Sequence, residues 1–402
     1  MEYPEARLGG DTEERGPAGR GSVDVPFLLL TLLLLTIGVV MVLSASFARA
    51  YYSEATNHSA TYYFTRQLVF AAAGVGIMLV AARFPIGFYR RVAVLLYLFA
   101  CVMLLLVLVG GERANGARRW FRIAGIQFQP SEIAKLALIL FDARLAWRYG
   151  EKMRKFRYGV FPFVAAAAVI IGLLVFEPHF SAAIIIILIT AVMMFAGGTP
   201  LVWFILGGGA VSILGAAVLT SGGYTSERIT AWRDPFADTS DTGYQIVQSL
   251  YAIGSGGLTG LGLGNSRQKY LYLPEEHNDF IFSVVCEELG FIGALLILAL
   301  FALLIARGFW LAMHCRDRYA FLVCSGVTAL LAFQVILNVA VVTNLIPCTG
   351  ISLPFFSYGG TALLLQLGEM GIVLSISRDI PEKKFFRERK RRRKRITEEV
   401  SA

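Results

Sequence analysis

Residues 25–46 read VPFLLLTLLLLTIGVVMVLSAS, an apolar run that contains no charged side chain. A helix needs about 20 such residues to cross the hydrocarbon core of a membrane. Similar runs recur along the 402 residues, which are 56% hydrophobic and only 16% charged, and this composition excludes an ordinary soluble domain. A polar tail precedes the run and no small-residue cleavage site follows it, so we expect the run to remain in the protein as a membrane anchor.

The hydropathy pattern predicts an all-α integral membrane protein, a polytopic bundle of about ten transmembrane helices, because only helices satisfy their own backbone groups across lipid at these lengths. The predicted spans are residues 25–46, 67–83, 92–110, 131–147, 159–176, 179–197, 201–220, 280–306, 319–343 and 360–377. The fourth is the least apolar, since it carries Lys135, Asp142 and Arg144. The membrane domain, 25–378, lies between a cytoplasmic tail, 1–24, and a basic cytoplasmic tail, 379–402.

The distribution of Lys and Arg predicts that both termini are cytoplasmic. Residues 83–91, 144–157 and 307–318 are basic connections that then share the cytoplasmic side with the C-terminal tail. The segment 112–122 is also basic, but the count of helices places it on the outer side of the membrane, against the usual bias. Binding of an anionic ligand would explain its charge. The C-terminal tail suits either attraction to anionic membrane lipids or a solvated end that acts as an orientation signal, and nucleic-acid binding is not expected.

A large extracellular loop, 221–279, separates the seventh and eighth predicted helices, and long loops in compact proteins are usually functional. Residues 244–253 have helical apolar spacing, so we expect short helices on the membrane face around a groove. Asp279 ends the loop directly before an apolar helix. It is either the cap of that helix or a general base exposed to the outside.

The fourth helix carries Glu132, Lys135 and Asp142 along one face. Ionisable groups at membrane depth normally face a cavity or one another. They form either an internal ion pair that locks two helices or a cationic pocket that reaches toward Arg118 and Arg119 and suits a diphosphate. Other acidic residues could line the same cavity: Glu177, Glu287, Glu288 and Glu369. The five cysteines form no Cys-x-x-Cys pair, and we expect free thiols.

Three sequence blocks then resemble the SEDS family (shape, elongation, division and sporulation proteins), and most of all its cell-division branch. The first block is Asn115-Gly-Ala-Arg-Arg-Trp120 with Gln129-Pro-Ser-Glu132 and Lys135. The second runs from Asp234-Pro-Phe through Gly243-Tyr-Gln245, Gln248 to Gly257, Gln268-Lys269 and Leu273-Pro-Glu to Asp279-Phe-Ile-Phe282 and Glu287-Glu-Leu-Gly290. The third is Thr349-Gly-Ile-Ser-Leu-Pro354 with Ser357-Tyr-Gly-Gly360. The match covers about residues 25–378. Glu276-His-Asn278 departs from the tripeptide more usual before the aspartate.

The resemblance implies a peptidoglycan glycosyltransferase that joins lipid II units into β-1,4 glycan strands at the outer membrane face during septal wall synthesis. The implied partners are a class B penicillin-binding protein that cross-links the strands, other division-complex membrane proteins, and membrane lipids. It places the protein in the bacterial plasma membrane, at the division septum. Asp279 matches the family's essential outer aspartate and is the expected catalytic residue. The expected substrate-binding residues are Arg118, Arg119, Trp120, Glu132, Lys135, Tyr244, Gln245, Gln248, Lys269 and Ser357.

The chemistry of these residues suits that activity. A lipid diphosphate is already a good leaving group, so one carboxylate suffices to remove the proton from the attacking hydroxyl, unlike the pair of carboxyl groups in glycoside hydrolases. Cations would stabilise the departing diphosphate. A divalent cation, Mg²⁺ or Mn²⁺, could assist, but the sequence contains no dedicated ligand cluster for a metal.

Two other classes of protein remain open from the sequence. One is a flippase that moves lipid II across the membrane without polymerising it. The other is a scaffold that recruits a transpeptidase. Polar residues concentrated in one outer loop, and not distributed symmetrically about the midplane, favour the enzyme over the flippase. A scaffold alone does not explain charged residues such as Lys135 and Asp142 at membrane depth.

Overall fold

The computed structural model describes residues 21–114, 117–123, 126–209, 232–237 and 243–380, and they are mainly helical. The α-helices are α1 Val25–Tyr52, α2 Tyr62–Ala81, α3 Ile86–Gly110, α4 Pro130–Tyr149, α5 Phe156–Gly159, α6 Phe161–Phe176, α7 Phe180–Gly197, α8 Tyr244–Ser255, α9 Ile281–Met313, α10 Arg318–Val342 and α11 Gly360–Ser377. Two short 3₁₀ helices cover Glu54–Thr56 and Gly150–Arg154, and residues 201–209 are also helical.

Within the described residues, eight helices are long and apolar enough to cross a membrane. They are Val25–Tyr52, Tyr62–Ala81, Ile86–Gly110, Phe156–Phe176, Phe180–Gly197, Ile281–Met313, Arg318–Val342 and Gly360–Ser377. The fourth predicted span forms a helix, α4, although its charges make it less apolar than the eight. Of the seventh, 201–220, the first nine residues are helical and 210–220 lie outside the described residues. The chain is a polytopic helical membrane protein, as predicted.

Helices α4 and α10 lie inside the bundle, and this position accounts for the polar residues of α4. In α10, 72% of the most apolar stretch is buried, against 22% in α2. Helix α4 packs against α3, α7 and α10. Because protein surrounds its inner face, Lys135 and Asp142 are both buried away from lipid, where charges would be costly.

Asp24 ties together three helices at the end of the bundle where α1 begins. Its carboxylate accepts a hydrogen bond from the backbone N–H of Phe27 (3.0 Å), which caps α1. It also accepts two hydrogen bonds from the Arg307 guanidinium of α9, at 3.0 and 2.5 Å. The Asp24 N–H donates to the Ser377 hydroxyl at the end of α11 (3.0 Å).

A small antiparallel sheet covers the opposite end of the bundle and was not predicted. It comprises β1 Glu112–Ala114, β2 Ala117–Ile123 and β3 Ile126–Phe128, in the order β1-β2-β3. The register pairs Glu112 with Trp120 and Arg122 with Gln127. The segment contains the aromatic and β-branched residues Trp120, Phe121, Ile123, Ile126 and Phe128, a composition that favours strands. The basic segment 112–122, predicted to lie outside the membrane, is thus part of a folded sheet.

Helix α9 is broken at Gly290, where φ is +67°. The carbonyls of Glu287 and Glu288 accept hydrogen bonds from the backbone N–H groups of Leu261 and Gly262, both at 3.0 Å. Beyond the break, the N–H groups of residues 291 and 292 donate to the carbonyls of residues 257 and 258, at 2.9 and 3.1 Å. The glycine-rich loop 256–262 therefore satisfies the backbone groups that the break exposes, as a low-dielectric environment requires.

We predict that Gly290→Ala destabilises the protein. A Cβ atom at Gly290 would lie 2.2 Å from the Gly260 nitrogen, and its φ disfavours L residues. The expected loss is about 1–3 kcal/mol, typical of overpacking, measured as a lower thermal unfolding temperature in detergent. Gly172→Ala in α6 is the control, because a Cβ there meets no described atom within 4 Å. Equal unfolding temperatures for the two variants would contradict the prediction.

Candidate active site

Asp279 lies at the end of the outer loop, half-buried, two residues before α9 begins. The structure places the cap of α9 at Phe280, which argues against the helix-cap alternative for Asp279. Its carboxylate faces Gly350, because a Cβ atom built on that glycine would lie 3.1 Å from Asp279 Oδ2. A backbone without a side chain therefore approaches the carboxylate from one side.

The backbone beside Asp279 is held by side chains from other elements. Asn338 of α10 donates from Nδ2 to the carbonyl of Asp279 (2.8 Å) and to that of Ile351 (2.7 Å). The Ser357 hydroxyl donates to the carbonyl of Asn278 (2.7 Å) and accepts from the Leu353 N–H (2.8 Å). Ser357, expected to bind substrate, is buried and its hydroxyl is engaged within the protein, so its observed role is to position this segment.

Two of the predicted basic residues, Arg118 and Arg119, lie on β2 and donate to backbone carbonyls. Arg118 donates from Nη1 to the carbonyls of residues 108 and 109 at the end of α3, at 3.0 and 3.1 Å. Arg119 donates to the carbonyl of Glu177 (3.3 Å) and to that of Pro178. Trp120, the next residue of β2, is half-buried. The sheet therefore carries one guanidinium group to the end of α3 and another to the junction of α6 and α7.

Lys135 and Glu132 form an ion pair within the first turns of α4, at 2.7 Å. The prediction placed Asp142 in the same stripe, with an alternative in which an ion pair locks two helices. That alternative is wrong for Lys135, whose ion pair lies within one helix. Asp142 is fully buried, and neither of its carboxylate oxygens has a hydrogen-bond partner among the described residues. Glu369 of α11 lies close enough for Lys135 and Glu132 to act on it electrostatically.

Glu177 and His179 lie at the α6–α7 junction, beside the basic residues. Burial raises the pKa of Glu177 to about 8, although the charge of Arg119 opposes this shift. Burial, together with the charges of Arg119 and Lys135, lowers the pKa of His179 to about 3. Sequence reasoning proposed Glu177 as a cavity residue but missed His179. The available signal was an ionisable residue in the short connection between two apolar spans.

Lys269 requires a correction. It was expected to bind the diphosphate, but it is buried and its ammonium group pairs with Glu288 (2.9 Å). The same group donates to the carbonyl of Gly264 (2.6 Å) and to the Ser44 hydroxyl (3.1 Å). Glu287 likewise accepts from the loop, through the Ser266 hydroxyl (2.5 Å) and the Arg267 N–H (3.0 Å). Because these groups satisfy one another, they anchor the loop instead of lining a cavity.

Helix α8 is the short outer helix predicted from residues 244–253. Ser249 anchors it, because its hydroxyl hydrogen-bonds the Ser283 hydroxyl and the Val342 carbonyl, both at 2.7 Å. The predicted substrate contacts Tyr244, Gln245 and Gln248 are each half-buried on this helix. Gln245 Oε1 lies 4.0 Å from the Cys348 sulfur, so α8 borders the loop that faces Asp279.

The contacts bring most of these elements to one end of the bundle. The Ser181 hydroxyl at the start of α7 donates to the carbonyl of Thr349, next to Gly350 and therefore to Asp279. The Thr361 hydroxyl at the start of α11 donates to the Gln127 carbonyl of β3 (2.9 Å). One surface thus joins the carboxylate of Asp279 to the sheet that carries Arg118 and Arg119. Across the described part of the chain, no group of three or more His, Cys, Asp or Glu side chains could hold a metal ion.

Comparison with known proteins places this arrangement in a family. The model of the FtsW/RodA/SpoVE family, described as a cell cycle protein, matches residues 25–381. The probable peptidoglycan glycosyltransferase FtsW of Trichlorobacter lovleyi is 40% identical over 367 residues, which cover 90% of this chain and 95% of that protein. The stage V sporulation protein E of Bacillus subtilis is 39% identical over 360 residues, 89% of this chain and 97% of that protein.

Two solved structures share the fold. A chain of a peptidoglycan synthase complex, described as coordinating polymerization and crosslinking, superimposes with a TM-score of 0.76 at 29% identity, covering 90% of this chain and 99% of that one. The rod shape determining protein RodA of Thermus thermophilus gives a TM-score of 0.66 at 29% identity, covering 90% and 98% of the two chains. This chain therefore belongs to the FtsW/RodA/SpoVE family of cell cycle proteins, the SEDS family that its sequence blocks resemble.

Proposed function

We propose that this chain is a peptidoglycan glycosyltransferase that joins lipid II units into β-1,4 glycan strands at the outer face of the plasma membrane. The match to relatives named as probable peptidoglycan glycosyltransferases covers 95% of the length of those proteins, which supports the assignment. The observation that carries the proposal is the geometry at Asp279. A half-buried carboxylate faces a glycine at one end of a membrane bundle, and its backbone is fixed by Asn338 and Ser357.

Asp279 is the proposed general base. Its carboxylate takes the proton from the 4-hydroxyl of the acceptor sugar as that oxygen attacks the anomeric carbon of the donor. The bond between the anomeric carbon and the diphosphate oxygen breaks, and undecaprenyl diphosphate leaves with the electron pair. Since the leaving group is already anionic and stable, no protein acid has to protonate it.

The proposed diphosphate contacts are the basic groups beside the α6–α7 junction. Arg119 reaches this junction from the sheet, Arg118 lies next to it on β2 against the end of α3, and Lys135 lies in the first turns of α4. An arginine has five N–H donors, so one that donates to a carbonyl can still bind a phosphate oxygen. Cations held in place before the reaction stabilise the charge that develops on the departing diphosphate. Lys269 is not included, because its ammonium group already contacts Glu288, the Gly264 carbonyl and the Ser44 hydroxyl, whereas the described residues give the ammonium group of Lys135 only Glu132.

The proposed partner is a class B penicillin-binding protein, which would cross-link the strands that this chain makes. The solved structural neighbour in a peptidoglycan synthase complex supports such an assembly. We place both termini in the cytoplasm, with lipid II held between the outer surface and the apolar helix faces. Septal wall synthesis is the proposed setting, because the sequence blocks resemble the cell-division branch most of all, and two FtsW relatives share 40% identity over most of the chain.

We predict that Asp279→Asn abolishes glycan synthesis. Without a base, the rate should fall by about 10²- to 10⁴-fold, and binding to the transpeptidase partner should be retained. The assay supplies labelled lipid II in detergent or liposomes to the full chain with its partner and resolves the glycan by gel. Glu54→Gln is the control, because Glu54 is an exposed acidic residue just beyond α1 at the same end of the bundle, outside the sheet and the Asp279 segment, and it should keep wild-type activity. Full polymerisation by Asp279→Asn would refute the general base.

The same assay separates the enzyme from the flippase. Wild-type protein in liposomes should convert lipid II into polymer. Translocation of labelled lipid II without any polymer would instead establish the flippase.

We also predict that the residues before α9 face the cell exterior and those after it face the cytoplasm. Tyr272 and His314 are both exposed, and they lie beyond opposite ends of α9. In a variant whose native cysteines are replaced, Tyr272→Cys should react with a membrane-impermeant maleimide in intact spheroplasts. His314→Cys should react only after the membrane is permeabilised. The reverse pattern would place Asp279 on the cytoplasmic side and end the proposal.

A further inference from the structure

An ion pair joins the first membrane helix to the segment that carries Asp279. Arg49, near the outer end of α1, donates from Nε to Glu276 Oε1 (2.7 Å) and from Nη2 to Glu276 Oε2 (2.8 Å). The Glu276 side chain is fully buried, and that of Arg49 is 31% exposed. A two-point contact between a planar guanidinium and a carboxylate fixes orientation as well as distance. It therefore ties position 276 rigidly to α1, three residues before Asp279.

The segment needs such contacts, because its backbone is strained. Glu275 has a φ of +55° and Leu271 a φ of +66°, in the left-handed region that L residues rarely adopt. Backbone conformations of this kind persist only when the surrounding structure holds them. The backbone carbonyls of residues 277, 278 and 279 accept hydrogen bonds from the Tyr358 N–H, the Ser357 hydroxyl and the Asn338 side-chain amide, in that order. At position 276 the side chain itself is held, from a different helix.

The charge of Glu276 suits this role. Burial on its own would raise the pKa of the carboxyl, but the neighbouring His277 and Arg49 side chains hold that pKa below its ordinary value. The carboxylate is therefore ionised at neutral pH. Removing Arg49 would leave a buried charge without its principal partner, and the segment would have to move to solvate it.

The structure assigns a positioning role to this ion pair: we propose that Arg49 and Glu276 brace residues 275–279, so that the Asp279 carboxylate is held at Gly350 in the geometry for proton abstraction. The inference rests on the proposed function of Asp279 and goes beyond it. Glu276 lies within Glu276-His-Asn278, the tripeptide that departs from the one more usual in the family. Neither residue needs to touch substrate.

The experiment measures kcat and KM for lipid II with the full chain and its transpeptidase partner. Arg49→Ala and Glu276→Gln should each lower kcat by about 10- to 100-fold, because a displacement of about 1 Å costs up to about 10²-fold. KM should stay within about twofold, since the diphosphate contacts are unchanged. The double variant should be no slower than the slower single variant, because both substitutions remove one interaction. Arg49→Lys, which keeps the charge, should recover part of the loss.

The chain contains a matched control at the opposite end of the bundle. The Arg307–Asp24 pair has the same two-point geometry, also joins α1 to another segment, and has an arginine of similar exposure, 29%. Arg307→Ala should lower the thermal unfolding temperature about as much as Arg49→Ala does, but it should leave kcat unchanged. This comparison separates positioning from general stability.

Wild-type kcat in both Arg49→Ala and Glu276→Gln would overturn the inference, as would an equal loss of kcat in Arg307→Ala. Should Arg49→Ala fail to accumulate, Glu276→Gln and Arg49→Lys decide, because Gln keeps the shape of the Glu276 side chain and Lys keeps the charge at position 49. The proposed function fails separately, when the wild-type protein makes no glycan or Asp279→Asn makes as much. The inference alone would be overturned if the wild-type protein makes glycan and Asp279→Asn does not, while Arg49→Ala and Glu276→Gln are both fully active.

Discussion

Backbone polar groups within a membrane protein must find partners inside the protein, because lipid offers none. At Gly290 this constraint has its largest consequence in the described structure. The break in α9 exposes the carbonyls of residues 287 and 288, and the loop 256–262 supplies the donors. The loop is thereby attached to the bundle. Glu287 and Glu288, next to the break, use their side chains to hold the rest of the loop through Ser266, Arg267 and Lys269.

The same constraint explains why charged residues are tolerated inside the bundle. Lys135 and Glu132 satisfy each other, and Lys269 and Glu288 do the same on the other side of the outer surface. The two pairs differ both in sequence spacing, three residues against nineteen, and in position. The first lies beneath the sheet, beside Arg119 and Glu177, where an anionic headgroup can be received. The second closes the base of a loop, so it contributes to structure and not to binding.

Asp279 depends on both arrangements. The attached loop leads into the residues just before α9, where Asp279 lies. The neighbouring backbone is held by Asn338 of α10 and by Ser357 of the loop that follows α10, and Glu276 is held by Arg49 of α1. A general base works only when its oxygen meets the proton at hydrogen-bond distance, so the proposed role of Asp279 requires that the preceding segment be held firmly. The proposed leaving-group contacts come from a separate platform, the small sheet. Base and cations are therefore carried by different parts of the chain.

The sequence by itself determined the class of the protein, the helices and the outer position proposed for Asp279, because apolar length and the placement of basic residues are local properties. It also identified α8 from its apolar spacing. Only the tertiary structure decided the partners of the charged residues. Lys269 pairs with Glu288, Lys135 with Glu132, and Arg49 with Glu276, and two of these three partnerships span distant parts of the chain. The break at Gly290 was missed because it depends on hydrogen bonds to the loop 256–262, which local patterns do not specify. The sheet was missed because its strands have only 3, 7 and 3 residues, too few for a clear alternating pattern.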